Sequence, residues 1–246
     1  MGLAKRIIPC LLKRGSALVK GKQFSGDRVV GVAMQAARIY GQRGADEVCL
    51  LDIGATPEGR GPDLEAIRQL SQDFFTPLAG GGGISCYGDA RRLLAAGADK
   101  VVIGYAWDQI ADCSHVLGRQ AVVAAVDVIK IQPLDHPPPK TAIVDALAVN
   151  WCQRMERRGA GEILLTSVDR EGMMEGMDLE MIEKVSKAVD IPVIAHGGCG
   201  TPEHAYEAIM AGASAVAIGS MFQFTDFTPR AVALHLQAKG IEVRIP

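Results

Sequence analysis

The chain has 246 residues, 48 % of them hydrophobic, and a formal net charge of -2. That length suits one sizeable core, and the charge gives no electrostatic reason to expect nucleic acid or a bilayer surface as partner. The opening MGLAKRIIPCLLKRG holds too short an apolar run for a signal peptide, and no stretch is long enough to span a membrane, so the cytoplasm is the expected location.

The six cysteines (Cys10, Cys49, Cys86, Cys113, Cys152 and Cys199) are scattered without a Cys-x-x-Cys pair. They read as small buried apolar groups in a reducing compartment; no metal and no cofactor is expected.

In chain order, the first apolar run covers roughly 6–12. A loop rich in Lys, Arg, Gly and Ser follows, LKRGSALVKGKQFSGDR, ahead of a helix over Val32–Gln42. Its charge suits an anionic ligand, and it equally suits a plain solvated loop. The second run, 47–53, carries Asp52 near its end, which reads either as a site carboxylate or as a group ordering the next loop. A helix from Asp63 to about Asp73 comes after it. The third run, 77–82, closes in Gly80 to Gly83, and the fourth, 100–104, closes at Gly104. The fifth, 121–127, ends at Asp127. Beyond it IQPLDHPPPK (131–140) is too proline-rich for helix and reads as a short, stiff connection with a solvated His136. The sixth run, 162–168, presents Thr166, Ser167 and Asp169, the seventh, 192–197, closes at Gly197-Gly198, and the eighth, 215–219, ends at Gly219-Ser220.

These runs are related to one another. Pro77 to Trp107 recurs without a gap at Pro192 to Phe222, an offset of 115 residues, and the register extends back until RIIPCLL from Arg6 falls on AVVAAVD from Ala121. One offset thus maps four apolar runs onto four others. Continuous apolar runs suit parallel strands covered on both faces. Eight of them alternating with helices predict a (β/α)8 TIM barrel, one domain over 1–246 made of half-repeats at about 1–115 and 116–246.

In such a barrel the C-terminal strand ends form the mouth. Gly82, Gly83 and Gly104 on one side, and Gly197, Gly198, Gly219 and Ser220 on the other, let phosphate approach backbone N–H groups. A ligand with a phosphate at each end fits that symmetry, although the same glycines also serve tight turns. Asp127 is the best single candidate for proton transfer, and its partner at the offset is Leu12. Lys20 offers a positive charge, and His196, beside Gly197, suits either catalysis or a supporting hydrogen bond. At the opposite end Arg6, Glu47, Lys100 and Glu162 each start a strand, a set able to close into a ring of ion pairs that serves stability or gates a small neutral molecule.

The stretches KRIIPCL, LVKG, ADEVCLLDI, GGGI, GADKVVI, RRGAGEILLTSVDREG, GMD and IPVIAHGGCG occur in one order over nearly the whole chain. In this the sequence resembles the cyclase subunit of imidazole glycerol phosphate synthase, the HisF family. The resemblance implies a glutaminase docked on the N-terminal face, with Asp99 at the interface, and ammonia passing the Arg6, Glu47, Lys100 and Glu162 gate. It also implies lyase-cyclase chemistry on a bisphosphorylated ribonucleotide held at the mouth by positions that include Thr166, Asp169 and Gly172. The family's two catalytic aspartates fall at Asp127 and at Leu12, so one acid is missing here. RIIPCLL with LVK soon after is similar to the WbuZ-like, glycosyl amidation-associated branch, which implies ammonia delivery to a separate sugar-amidating enzyme. An authentic cyclase, or a non-catalytic scaffold that activates the glutaminase, are the alternatives.

Overall fold

The structure is a computed structural model that describes residues 4–72, 74–130 and 142–245. The proline-rich stretch 131–140, with His136, lies outside the described residues.

Among the described residues eleven strands form one sheet: β1 (Arg6–Arg14), β2 (Ala17–Lys22), β3 (Ser25–Val32), β4 (Val48–Asp52), β5 (Leu78–Gly81), β6 (Lys100–Ile103), β7 (Val122–Ile129), β8 (Ile143–Val144), β9 (Glu162–Ser167), β10 (Val193–His196) and β11 (Ala215–Ile218). Eight of them close in parallel as β1-β4-β5-β6-β7-β9-β10-β11, and β11 pairs back onto β1 from Arg6↔Ala215 to Pro9↔Ile218. This is the (β/α)8 TIM barrel that the eight apolar runs predict. Helices stand between the strands, among them Ala33–Gln42, Leu64–Ser71, Tyr87–Ala95, Asp145–Arg157, Leu179–Ala188 and Pro202–Met210.

Side-chain alternation divides each strand between two cores. In β1, Ile8, Cys10 and Leu12 point to the barrel axis, where they pack with Cys49, Val102, Val123, Ala125, Leu164 and Ile194. Ile7 and Leu11 point outward to the layer under the helices, with Leu50, Leu93, Val126, Leu165 and Ile182. Residues offset by 115 do the same local work. Asp63 Oδ1 accepts from Ala66 N at 3.0 Å and caps one helix, and Asp178 Oδ1 accepts from Met181 N at 3.3 Å and caps its counterpart.

Three strands lie outside the eight expected: the short β8, paired with β7, and the two strands β2 and β3. The basic segment after β1 is not a loop: β2 and β3 form an antiparallel hairpin, with Lys20 on β2. Its reversal at Gln23-Phe24 holds both residues at positive φ, 52° and 62°, the shape of a type I′ turn, whose usual Asn-Gly signature is absent. Gln23 ties this turn to the loop after β9. Its N–H donates to Glu171 O at 2.8 Å and its Nε2 donates to Asp169 O at 2.9 Å.

Candidate functional site

At the N-terminal end of the barrel four side chains close a ring. Arg6 Nη1 stands 2.7 Å from Glu47 Oε2, and Arg6 Nη2 stands 2.8 Å from Glu162 Oε1. Lys100 Nζ stands 2.7 Å from Glu47 Oε2 and 3.0 Å from Glu162 Oε2. Each cation therefore bridges both anions. Burial works against the Arg6 charge, but Glu162 and Glu47 outweigh it and raise the guanidinium pKa further. Directly above lie the apolar side chains of the barrel interior together with the thiols of Cys49 and Cys10, so the ring is the charged floor of a largely apolar axis. Beside it, Asp99 Oδ2 accepts from Leu78 N at 2.8 Å. Asp99 and Lys100 also line an open depression with Leu117, Gly118, Arg119 and Gln120.

At the mouth, β1 and β7 are diametrically opposed in the strand order. Asp127 points inward from β7, because Val123 and Ala125 lie on the axial face of that strand while Val126 and Val128 lie on the outer one. Burial pushes its carboxyl up to about 6, against the opposing effects of His196 and a hydrogen bond from Thr166. Thr166 Oγ1 is also 3.2 Å from His196 Nδ1, so a buried hydroxyl links the carboxyl to the imidazole. His196 touches Cys10 in turn. Burial works against the imidazolium, but Cys10 reverses this, and the net shift of His196 is upward. Across the barrel Leu12 is 8 % exposed and belongs to the apolar axis. It carries no proton to exchange.

The Asp127 environment affects stability as well. The folded carboxyl holds its proton up to a pH of about 6, the unfolded one only to 3.8. Between those values the folded state binds more protons, so this group's contribution is largest below 3.8 and is lost as pH rises through 6. Asp127→Asn is therefore expected to stabilise the protein by about 1–3 kcal/mol at neutral pH, with a smaller gain near pH 4.5. Chemical denaturation at the two pH values checks this, and an equal gain at both would refute it.

Lys20, buried on β2, is ion-paired with Glu171, and both are 2 % exposed. They line a small pocket with Gly172, His196, Gly197, Gly198, Gly219 and Ser220. Lys20 Nζ lies 3.0 Å from the point where a Cβ on Gly219 would stand. The structure thus gathers Lys20, Gly172, Gly197, Gly198, Gly219 and Ser220 in one place, with Thr166 and Asp127 behind them. Gly82, Gly83 and Gly104 end the strands on another side of the mouth and do not line this pocket. Asp169 faces the neighbouring loop, its Oδ2 accepting from Lys130 N at 2.9 Å.

Glycine at Gly83 and Gly198 has a packing reason. Both have positive φ, +71° and +92°; a Cβ would come within 2.6 Å of Arg60 O at the first and would collide with Gly176 O at the second. Asp52 does not enter the mouth. It accepts from Lys13 Nζ at 3.2 Å, Gly54 N at 3.0 Å and Arg60 Nη1 at 3.3 Å, which makes it a loop-ordering group.

Glu171 is the residue that sequence reasoning overlooked. Its only signal was a carboxylate between Asp169 and Gly172 in a mouth loop.

Comparison with known proteins agrees with this architecture. The histidine biosynthesis protein family matches residues 6–228 of the chain. The imidazole glycerol phosphate synthase subunit HisF of Methanopyrus kandleri is 41 % identical over 271 aligned positions, covering 99 % of both proteins. With its closed barrel and this match over its full length, the chain belongs to the histidine biosynthesis protein family and is a HisF-like barrel.

Proposed function

We propose that this barrel is the ammonia-receiving subunit of a glutamine-dependent amidotransferase. A glutaminase of the HisH type docks on the face around Asp99 and Lys100, and a phosphorylated small molecule binds at the mouth. The observation that carries the reading is the closed ring of Arg6, Glu47, Lys100 and Glu162 beneath a largely apolar axis. An ion-paired ring holds back ions and bulk water, and a brief parting of one pair lets a small neutral molecule pass. The walls directly above are apolar apart from the thiols of Cys49 and Cys10, so ammonia meets few groups there that could protonate it. The open depression beside the ring gives a partner a place to sit.

Leu12 turns the reading away from histidine synthesis. With aliphatic carbon opposite Asp127, proton transfer on two faces of a bound ribonucleotide loses one participant. Loss of such a group typically costs about 10²–10⁴-fold in rate. The nitrogen then goes to a separate sugar-amidating enzyme of surface-polysaccharide synthesis, as in the WbuZ-like branch.

A second reading, an authentic cyclase and lyase, is favoured by one feature. Asp127, Thr166 and His196 are linked in the mouth, and His196 offers a second titratable group there.

The chain assayed with a glutaminase of the HisH type, glutamine and the bisphosphorylated aminoimidazole ribonucleotide precursor separates these readings. The expected result is stimulated glutamine hydrolysis with precursor turnover at least about 100-fold slower. Matched rates would establish the cyclase. No stimulation of hydrolysis at all would sink both readings.

A further inference from the structure

The two sides of the mouth are equivalent in sequence by the 115-residue offset but differ in the groups they present. Behind β10 and β11, Ser220 is 5 % exposed and lines the pocket with Gly198, Gly219 and Lys20. Its Oγ has no hydrogen-bond partner among the described residues. An orphaned hydroxyl at that depth is costly, and an oxyanion in the pocket would accept a hydrogen bond from it. The Glu171 carboxylate in the same pocket is ion-paired with Lys20, which offsets its repulsion of an anion.

Behind β5 and β6 the counterpart of Ser220 is Tyr105, 62 % exposed. The backbone N–H of Gly83, counterpart of Gly198, already donates to Thr56 Oγ1 at 3.2 Å. This side therefore lacks a buried, unpartnered hydroxyl, has one of its backbone donors occupied, and presents an open aromatic face. A phenol ring of this kind packs on flat apolar surface and keeps its hydroxyl wet.

We propose that the mouth takes a ligand phosphorylated at one end only, with the phosphate on the Ser220 side and an unphosphorylated sugar or heterocyclic ring against Tyr105. This deepens the proposed function, since it rests on the mouth being a ligand site. It does not depend on where the ammonia goes.

Isothermal titration of the full chain alone, with inorganic phosphate, ribose 5-phosphate and ribose 1,5-bisphosphate, tests it. One phosphate per chain is expected, and the bisphosphate should bind within about threefold of the monophosphate. Ser220→Ala should weaken phosphate about tenfold, the loss of one hydrogen bond to a charged group. Tyr105→Ser should open the second side, so that the bisphosphate gains at least about tenfold over the monophosphate. Two equivalent phosphates per wild-type chain, no phosphate binding, or unaltered binding by a folded Ser220→Ala protein would each overturn the proposal. An unchanged ratio in Tyr105→Ser would do the same. No glutaminase is present in the titration, so a failure here leaves ammonia delivery standing, and a failure of ammonia delivery leaves the titration result standing.

Discussion

Leu12→Asp is expected to raise turnover of ammonia and the bisphosphorylated ribonucleotide precursor by about 10²–10⁴-fold, the usual worth of one positioned acid or base. The expectation comes from position rather than from chemistry already present. Leu12 points to the axis from β1, opposite β7, which carries Asp127. A carboxylate at residue 12 would enter the apolar axial cluster, which includes Val19 and against which Leu51 and Ile53 pack. Those neighbours raise its pKa, as burial does for Asp127, and so favour an acid that keeps its proton near neutrality. Some stability will be lost, because an apolar neighbour is exchanged for a group that wants water. Leu12→Asn, similar in size but unable to transfer a proton, separates packing from chemistry. If the aspartate variant folds, binds phosphate and still turns over no faster than the asparagine variant, the missing acid is not what limits this mouth.

Glu47→Gln is expected to produce the largest loss of stability of any single charge change at the barrel floor. Glu47 Oε2 stands 2.7 Å from both Arg6 and Lys100, and its side chain is 4 % exposed against 13 % for Glu162. Without that charge two cations share Glu162 in a partly buried place. Breaking a buried pair by removing one partner costs about 3–5 kcal/mol. For a chain of this length that lowers the unfolding midpoint by roughly 6–20 °C. Glu203→Gln is the natural control. Glu203 also holds two basic groups, His235 and Lys239, but its side chain is 44 % exposed, and surface pairs contribute little. Thermal unfolding of both variants decides the matter; similar shifts would mean that the ring is as solvated as a surface pair and is no barrier to ions.

Much of this was legible in the chain because duplication writes a fold twice. The offset that lays Ala121–Asp127 on Arg6–Leu12 set the number of barrel strands, and the edges of those eight came within two residues of the observed ones. The charged floor was legible for a related reason: a charge at the start of an apolar run has few places to go except the barrel rim. The hairpin was not legible. Lys20, Gly21, Lys22 and Gln23 look like solvated loop, and a turn built on Gln23-Phe24 lacks the residues that announce one. Glu171 was hidden for a different reason. A buried carboxylate needs a buried cation, and Lys20 lies 151 residues away in sequence. Asp52 shows the limit of arguing from strand ends alone. Residue 52 ends its strand as foreseen, but Lys13 and Arg60 draw it into the loop and away from the mouth.

The hairpin's reversal carries a further consequence. Gln23 and Phe24 occupy backbone conformations that glycine or asparagine would hold with less strain. Yet Gln23 is the strut whose side-chain amide and backbone N–H grip the Asp169–Glu171 segment, and Glu171 in turn fixes the Lys20 ammonium. A more relaxed turn would release that segment, and the mouth would trade a preset cation for a loosely tethered one. Local comfort and a rigid entrance are thus in opposition at these two residues, and the fold has settled for rigidity.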